Sequence, residues 1–359
     1  MKKLLIFTTL LGLLLAGCTP ASSLGGRGQL EPGSNPTAAA PQAPVSPSQS
    51  ATPGSQAAGP AATQPAPATQ SPTLPAMNGL LFPIRAAFYY PWFPQSWNQS
   101  GMNPFTHYHP SLGFYSQDDP AVIPQQIAAM QYGKIQLGIA SWWGQGHYTD
   151  TRFSALLQDG QKVGFYWAAY MESEGQGNPT VAAIHSDLQY IHDKYASSPA
   201  YLKIGGRFVI FVYADPTDRC DMADRWTQAN TLGAYLVLKI FSGYQACASQ
   251  PDAWHQYAPA GAEKSVGVAS FTISPGFYKA SEPQPRLARG LQQWDTDIQA
   301  MIASKADFQL ITTFNEWGEG TAVESASEWA SPSGYGQYLD ALHYDGNSPV
   351  SLGLSKPGT

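Results

Sequence analysis

Eight short apolar runs, most of them separated by helical patterns, constrain the fold of this 359-residue chain more than any other feature. The runs are Arg85–Tyr90, Ile135–Trp142, Lys162–Tyr170, Arg207–Tyr213, Tyr235–Phe241, the weaker Trp254–Tyr257, Val266–Ile273 and Phe308–Phe314. Runs of this length that are apolar throughout read as strands buried on both faces. Helical patterns lie between them at Ala121–Tyr132, Thr151–Gln161, Thr180–Tyr195, Asp221–Thr231 and Leu287–Ser304. Asp119-Pro120 ahead of the first is a good start signal, a cap followed by proline in the first turn. Strands alternating with helices pair in parallel through crossover helices. Eight repeats predict an α/β fold of the (β/α)8 TIM-barrel type. A doubly wound open sheet is the alternative, but its Gly-rich turn after the first strand is absent.

The barrel reading makes a further demand. Active sites of such barrels lie at the C-terminal ends of the strands. Those ends hold Tyr89-Tyr90-Pro91-Trp92, then Ser141-Trp142-Trp143, then Tyr170-Met171-Glu172, then His255 and Tyr257, then Ser274-Pro275-Gly276. The last run stops at Asn315-Glu316-Trp317-Gly318-Glu319, with Glu324 close behind. Carboxyl groups beside aromatics at the end of a buried strand suit sugar chemistry, because the surroundings can keep one protonated and the other ionised. His107 and His109 read as loop histidines, and Glu324 as a supporting residue.

The front of the chain has another character. Met1-Lys2-Lys3, an apolar stretch from Leu4 to Leu15, and Ala16-Gly17-Cys18 describe a secretory signal over residues 1–17. Its apolar stretch is too short for a comfortable membrane span. Leu15-Ala16-Gly17-Cys18 resembles the lipobox of bacterial lipoproteins, which implies cleavage before Cys18 and lipidation of that cysteine. Residues 18–78, rich in Pro, Ala, Ser and Thr, have little to bury and are expected to be a disordered tether. As a coil it spans roughly 45 Å. The barrel is then assigned to residues 79–359. Such a protein is exported and held at the membrane, on the cell surface or the periplasmic face.

Without Lys2 and Lys3 the chain has 17 basic residues against 25 acidic, a net charge of −8. With no basic stripe, nucleic-acid binding is excluded as a function class. An acidic, aromatic-rich chain fits an oligo- or polysaccharide. Cys220 and Cys247, outside the cell, are expected to pair.

These residues, taken in order, resemble glycoside hydrolase family 99, the endo-α-1,2-mannosidases and endo-mannanases, to which the α-1,3-glucanases of family 71 are related. The resemblance rests on Phe88-Tyr89-Tyr90, Pro110-Ser111-Leu112-Gly113-Phe114-Tyr115-Ser116 with Asp119-Pro120, Ser141-Trp142-Trp143, Ile191-His192-Asp193-Lys194-Tyr195 and Phe211-Val212-Tyr213. It continues through Ser274-Pro275-Gly276 and Phe314-Asn315-Glu316-Trp317-Gly318-Glu319-Gly320-Thr321. It implies a barrel that cleaves α-glycosidic bonds with retention, without metal or organic cofactor. Glu316 then takes the proton of the sugar 2-hydroxyl and Glu319 is the general acid/base. Tyr89, Tyr90, Trp92, Trp142, Trp143, Glu172, Tyr257, Asn315 and Trp317 are the candidate substrate contacts. Because neighbours on a strand face opposite ways, Trp142 and Trp143 need not both reach the substrate.

Two departures stand out. The family's Glu-Pro-Tyr after the third strand is replaced by Ala168-Ala169-Tyr170, with Glu172 slightly later. The acid usual after Ser-Pro-Gly-Tyr is replaced around Phe277-Tyr278-Lys279. The reading is a monomeric, surface-anchored endo-α-glycosidase acting on mannan-type linkages. An α-1,3-glucan hydrolase and a non-catalytic carbohydrate-binding lipoprotein are the alternatives.

Overall fold

A computed structural model of the protein describes residues 79–348 apart from Gln176. The expected signal peptide, Cys18 and the tether lie outside the described residues. Ten strands and six α-helices follow one another: β1 Ile84–Tyr89, α1 Val122–Tyr132, β2 Leu137–Trp142, α2 Tyr148–Val163, β3 Tyr166–Met171, α3 Val181–Lys194, β4 Lys203–Ile204, β5 Arg207–Val212, α4 Arg219–Ala229, β6 Tyr235–Lys239, β7 Ala253–His255, β8 Glu263–Val266, β9 Ser270–Ile273, α5 Leu291–Ser304, β10 Phe308–Ile311 and α6 Gln337–His343. The sheet runs β7-β6-β5-β3-β2-β1-β10-β9-β8, parallel except that β8 is antiparallel to β9. Eight of these strands form a TIM barrel. β1 joins β10 in register Ile84↔Phe308, so the two ends of the folded region meet side by side.

Alternation along each strand divides the apolar residues into two cores. Ile84, Ala86, Phe88 and Tyr90 face the barrel interior with Leu137, Ile139, Ala168, Tyr170, Val209, Phe211 and Phe308. Ala87 and Tyr89 face outward to the helices, together with Ala140, Trp142, Trp167 and Met171. α2 is capped by the His147 ring, which accepts from Thr149 N (3.3 Å), and α3 by Thr180 Oγ1, which accepts from Ala183 N (3.2 Å).

The third run was expected to begin at Lys162. Instead α2 continues to Val163 and ends at Gly164, which is left-handed at φ +72°, so the strand starts only at Tyr166. The seventh run was expected to begin at Val266, but that residue belongs to β8 and the barrel strand is Ser270–Ile273.

The barrel is completed between β7 and β9 by side chains. β9 gives its backbone to β10 on one edge and to β8 on the other. Three hydroxyls at alternate positions reach across instead. Ser270 Oγ donates to Trp254 O (3.0 Å), Thr272 Oγ1 to Gln256 O (2.9 Å) and Ser274 Oγ to Pro259 O (2.8 Å). Cys220 at the start of α4 and Cys247 form the expected disulfide.

Candidate active site

The loop after β10 carries the acids, and its shape follows from a clasp at its base. Thr313 and Thr321 pair through backbone (Thr313 N to Thr321 O, 3.1 Å) and through their hydroxyls (2.9 Å). Thr313 Oγ1 also accepts the Glu316 N–H at 2.9 Å. Gly320 is left-handed at φ +65°, and a Cβ there would lie 2.5 Å from Tyr278 O, so only glycine closes the turn. Arg289, stacked on Trp329, donates to the carbonyls of Gly320 (2.9 Å) and Ala322 (2.6 Å). The loop is therefore held from both sides, and Glu316 and Glu319 are directed to the C-terminal mouth of the barrel.

There a single hydroxyl ties the two acids together. Tyr257 OH donates to Glu316 Oε2 and lies 3.4 Å from Glu319 Oε2. The two carboxyl groups are close enough to bear electrostatically on each other. Burial raises the Glu316 carboxyl well above its ordinary value, and the neighbouring charge of Glu319 raises it further. Burial raises Glu319 too, but Lys279 and Lys239 oppose the rise. Two close carboxyls in a low-dielectric site cannot both ionise readily, so the pair shares one proton.

Around the pair stand side chains from several other strand ends. Tyr90, after β1, faces the Tyr257 hydroxyl and feels the charges of Glu316 and Glu172. Trp92 donates from Nε1 to Ser141 Oγ (3.0 Å), with its ring centre 6.3 Å from that of Trp143. Both rings are half-buried at the rim. Glu172, after β3, is 7 % exposed and bears electrostatically on Glu316, Tyr90 and Tyr170.

Other candidates are placed elsewhere. Tyr89 points outward, where its hydroxyl donates to Gln126 Oε1 (2.6 Å) and accepts from Gln117 Nε2 (2.9 Å). Trp142 also points outward, and its Nε1 donates to Asp150 Oδ1 (3.0 Å) behind the barrel wall. Trp317 is fully buried and stacked on Trp329. Asn315 is an anchor: its Oδ1 accepts from Tyr90 N (2.7 Å) and its Nδ2 donates to Tyr90 O (3.0 Å), joining the last strand end to the first. These four residues shape the mouth from behind and do not line it. His255 is sealed in the barrel, its Nε2 against Val212 O (3.1 Å), and burial lowers it to about 3.

Sequence reasoning passed over three residues that the fold brings here. Tyr170 lies inside the barrel with its buried hydroxyl lacking a hydrogen-bond partner among the described residues. Alternation with Tyr166 and Ala168 was the signal for its inward direction. Lys239 ends β6, 5 % exposed, with Nζ 3.9 Å from the ring centre of Tyr213 and 5.7 Å from that of Tyr257. Lys279 lies between two backbone bonds to the acid loop, Tyr278 N to Glu319 O and Ala280 N to Gly318 O, both 2.9 Å. No group of three or more His, Cys, Asp or Glu among the described residues is placed to hold a metal.

The mouth of the parallel barrel thus holds a buried carboxyl pair inside a ring of aromatics. Residues 91–236 match the sequence model for glycosyl hydrolase family 99. The glycoprotein endo-alpha-1,2-mannosidase-like protein of Mus musculus is 22% identical over 292 residues, covering 68% of this chain and 63% of the relative. The glycoprotein endo-alpha-1,2-mannosidase of Mus musculus is 23% identical over 294 residues, covering 65% and 60%. The chain thus spans a little over three fifths of these relatives. Among solved structures, a family 99 endo-alpha-mannosidase of Bacteroides thetaiotaomicron, in complex with bis-tris-propane, superposes with TM-score 0.60 at 20% identity over 75% of this chain and 98% of that one. A glycoside hydrolase-like protein superposes with TM-score 0.55 at 15% identity, covering 77% and 97%. Residues 91–236 are thus similar to glycosyl hydrolase family 99, and the barrel shares its fold with a solved structure of that family.

Proposed function

We propose that this protein is a retaining endo-α-glycosidase that hydrolyses α-mannosidic, mannan-type linkages. The observation that carries the reading is that one hydroxyl, Tyr257 OH, touches both carboxyl groups. In an ordinary retaining glycosidase the two carboxyls stand ~5 to 5.5 Å apart on either side of the scissile bond. Here they come from one loop, three residues apart, and both lie within reach of one hydroxyl. Such a pair reaches two neighbouring oxygens of one sugar more readily than opposite faces of its anomeric carbon.

Glu316 takes the proton of the 2-hydroxyl, and O2 attacks C1. The bond from C1 to the leaving oxygen breaks, its electron pair stays with that oxygen, and Glu319 supplies the proton. Water then opens the three-membered ring at C1 and returns a proton to Glu319, while O2 regains its proton from Glu316. The α-anomer is retained. Trp92 and Trp143 offer apolar faces for the C–H surfaces of neighbouring sugars, and Glu172 and Tyr170 offer hydrogen bonds.

The relatives named above support the mannosidic linkage. Incubation with α-mannan and α-1,3-glucan, followed by product analysis and a proton NMR time course, tests the reading. The expected result is release of α-configured mannan oligosaccharides, with 2-deoxy analogues bound but not cleaved. Initial β-product, or brisk cleavage of the 2-deoxy analogue, would return Glu316 to a positioning role. Absence of cleavage of any glycan would leave only a sugar-binding protein.

We further propose export and lipid anchoring at Cys18. The Cys220–Cys247 disulfide supports an oxidising compartment. Cys18→Ser should move the protein from detergent to aqueous phase; retention in the detergent phase would refute the anchor.

A further inference from the structure

Both rim tryptophans are tied to the first residues of one helix. Trp143 N donates to the hydroxyl of Thr149 (3.1 Å), the buried second residue of α2. Asp150 closes the loop between them, its Oδ2 accepting from Gly146 N (3.0 Å). Tyr195 OH (2.6 Å to Oδ1) and Tyr190 OH (2.7 Å to Oδ2), at the end of α3, hold Asp150 from behind. Arg152 reaches the segment that carries the other ring. Its Nη1 donates to Pro91 O (2.9 Å) and its Nη2 to Gln95 Oε1 (3.0 Å), so the guanidinium grips the chain on either side of Trp92. Asp118 anchors the guanidinium in turn, its Oδ1 accepting from Nε (2.8 Å) and its Oδ2 from Nη2 (2.7 Å).

Thr149 and Arg152 stand three residues apart and share one face of the helix. That face therefore fixes the chain after β2 and the chain after β1 together. The rings themselves do not stack: their centres are 6.3 Å apart and their planes meet at 49°. Their relative pose is set by the backbone beneath them. Stability alone is a poor reason for an arginine here. Its side chain is 4 % exposed, and taking a cation out of water is costly. Its acidic partner Asp118 has a side chain 63 % exposed, so water screens the ion pair and little of that cost is returned. The contacts to Pro91 and Gln95 do call for arginine. A planar fork serves acceptors on separate segments at fixed angles, which the single ammonium of a lysine does not.

We propose that Arg152 is a positioning residue for sugar recognition: by gripping the Pro91–Gln95 segment it sets Trp92 against Trp143, so that the two rings form one angled platform for neighbouring sugar units. Thr149 plays the same part for Trp143. The inference rests on the reading of these rings as sugar platforms in the proposed glycosidase. A change at Arg152, behind the barrel mouth, then weakens sugar binding as though the ring itself had been altered.

A double-mutant cycle tests this. Oligosaccharides of α-mannan and of α-1,3-glucan are titrated calorimetrically into the intact protein, Trp92→Ala, Arg152→Met and the double variant. Each single change should weaken Kd for the glycan that binds by about tenfold, and the double variant should be no more than about twofold weaker than Trp92→Ala alone. In turnover the loss should fall on KM, with kcat at saturation within about twofold of wild type, because the acid loop after β10 is untouched. Should Arg152→Met fail to fold, Thr149→Val paired with Trp143→Ala runs the same cycle from the other ring. Losses that multiply in the double variant, or a fall in kcat with Kd unchanged, would overturn the inference and leave Arg152 a residue of the scaffold only. A protein that binds these glycans but cleaves none loses its proposed activity, while the cycle in Kd still decides the role of Arg152. Absence of binding to either glycan refutes both readings.

Discussion

A carboxyl pair and a lone carboxyl follow the same strand, and they have opposite fates. Glu316 and Glu319 sit in the loop after β10, and Glu324 follows three residues beyond its clasp. Burial raises all three. Glu324 is enclosed by neutral donors: Tyr115 OH (2.7 Å) and Trp317 Nε1 (3.1 Å) to Oε2, and Gln126 Nε2 (2.8 Å) to Oε1. It is 3 % exposed and ties the acid loop to α1. The Glu316–Glu319 pair has instead one phenol, a shared proton and an open mouth. A raised carboxyl is thus no mark of catalysis by itself. What separates the pair from the lone carboxyl is whether the oxygens are already filled from behind or kept for something that arrives from the mouth.

The sharpest way to break this contrast is to alter each in turn and ask which property fails. Glu319→Gln should lower kcat/KM on polymer by ~10²–10⁴-fold, the usual worth of general acid catalysis, while the melting temperature holds. A glycosyl fluoride, whose leaving group needs no proton, should recover part of the rate. Full activity on polymer would remove Glu319 from the role. Glu324→Ala should do the converse. Three buried donors lose their acceptor, which costs about 3–5 kcal/mol. The melting temperature should fall by roughly 10 °C, and the folded fraction at low temperature should keep its turnover. Loss of activity without loss of stability would place Glu324 in the chemistry.

The same residue gives the contrast a pH axis. An unfolded glutamate ionises near 4.5, whereas Glu324 in place holds its proton up to about 7. Between those values the unfolded chain binds fewer protons, so stability falls as pH rises through this window and levels off above it. The full difference is about 3 kcal/mol or less. Because the Glu316–Glu319 pair contributes in the same sense, the measure is the wild-type slope minus that of Glu324→Gln, from denaturant midpoints. Equal slopes would mean that Glu324 is already ionised throughout. The smallest expected effect is that of Tyr257→Phe. Removing the hydroxyl that spans the pair should reduce kcat/KM about 10–100-fold and shift its acid limb, with little change in melting temperature. An unchanged pH profile would show that the phenol does not govern the shared proton.

Much of this was legible beforehand. Runs such as Arg207–Tyr213 are apolar throughout because they are buried on both faces, so they announce themselves. β8 did not, since Glu263-Lys264-Ser265 are exposed and only β9 makes them a strand. α6 contributes seven residues whose stability comes from packing against α1 and α5 and not from any capped pattern. At the mouth, aromatics near strand ends were a sound guide to the region and a poor guide to the individual residue. Tyr89 and Tyr90, or Trp142 and Trp143, are equal as letters and opposite in direction. Lys239 went unread because a single lysine in Tyr235–Phe241 looks like the polar end of a strand. Its setting among Tyr213, Phe241 and Tyr257 is a product of three separate strands.

The hydroxyl joint between β7 and β9 has a consequence for how such a barrel can change. A backbone ladder fixes register over its whole length, so an insertion on either side must be absorbed by every rung. Here three side chains set the relation between the strands, and each can be replaced singly. The segment between Tyr257 and Glu263, held to β9 only through the Pro259 and Ala262 carbonyls, can then lengthen or shorten with the loss of two contacts at most. Since Tyr257 stands at one end of that segment and the loop carrying Lys279 follows Ser274, the joint is the place where the cleft can acquire new reach while the other strand pairings stay as they are.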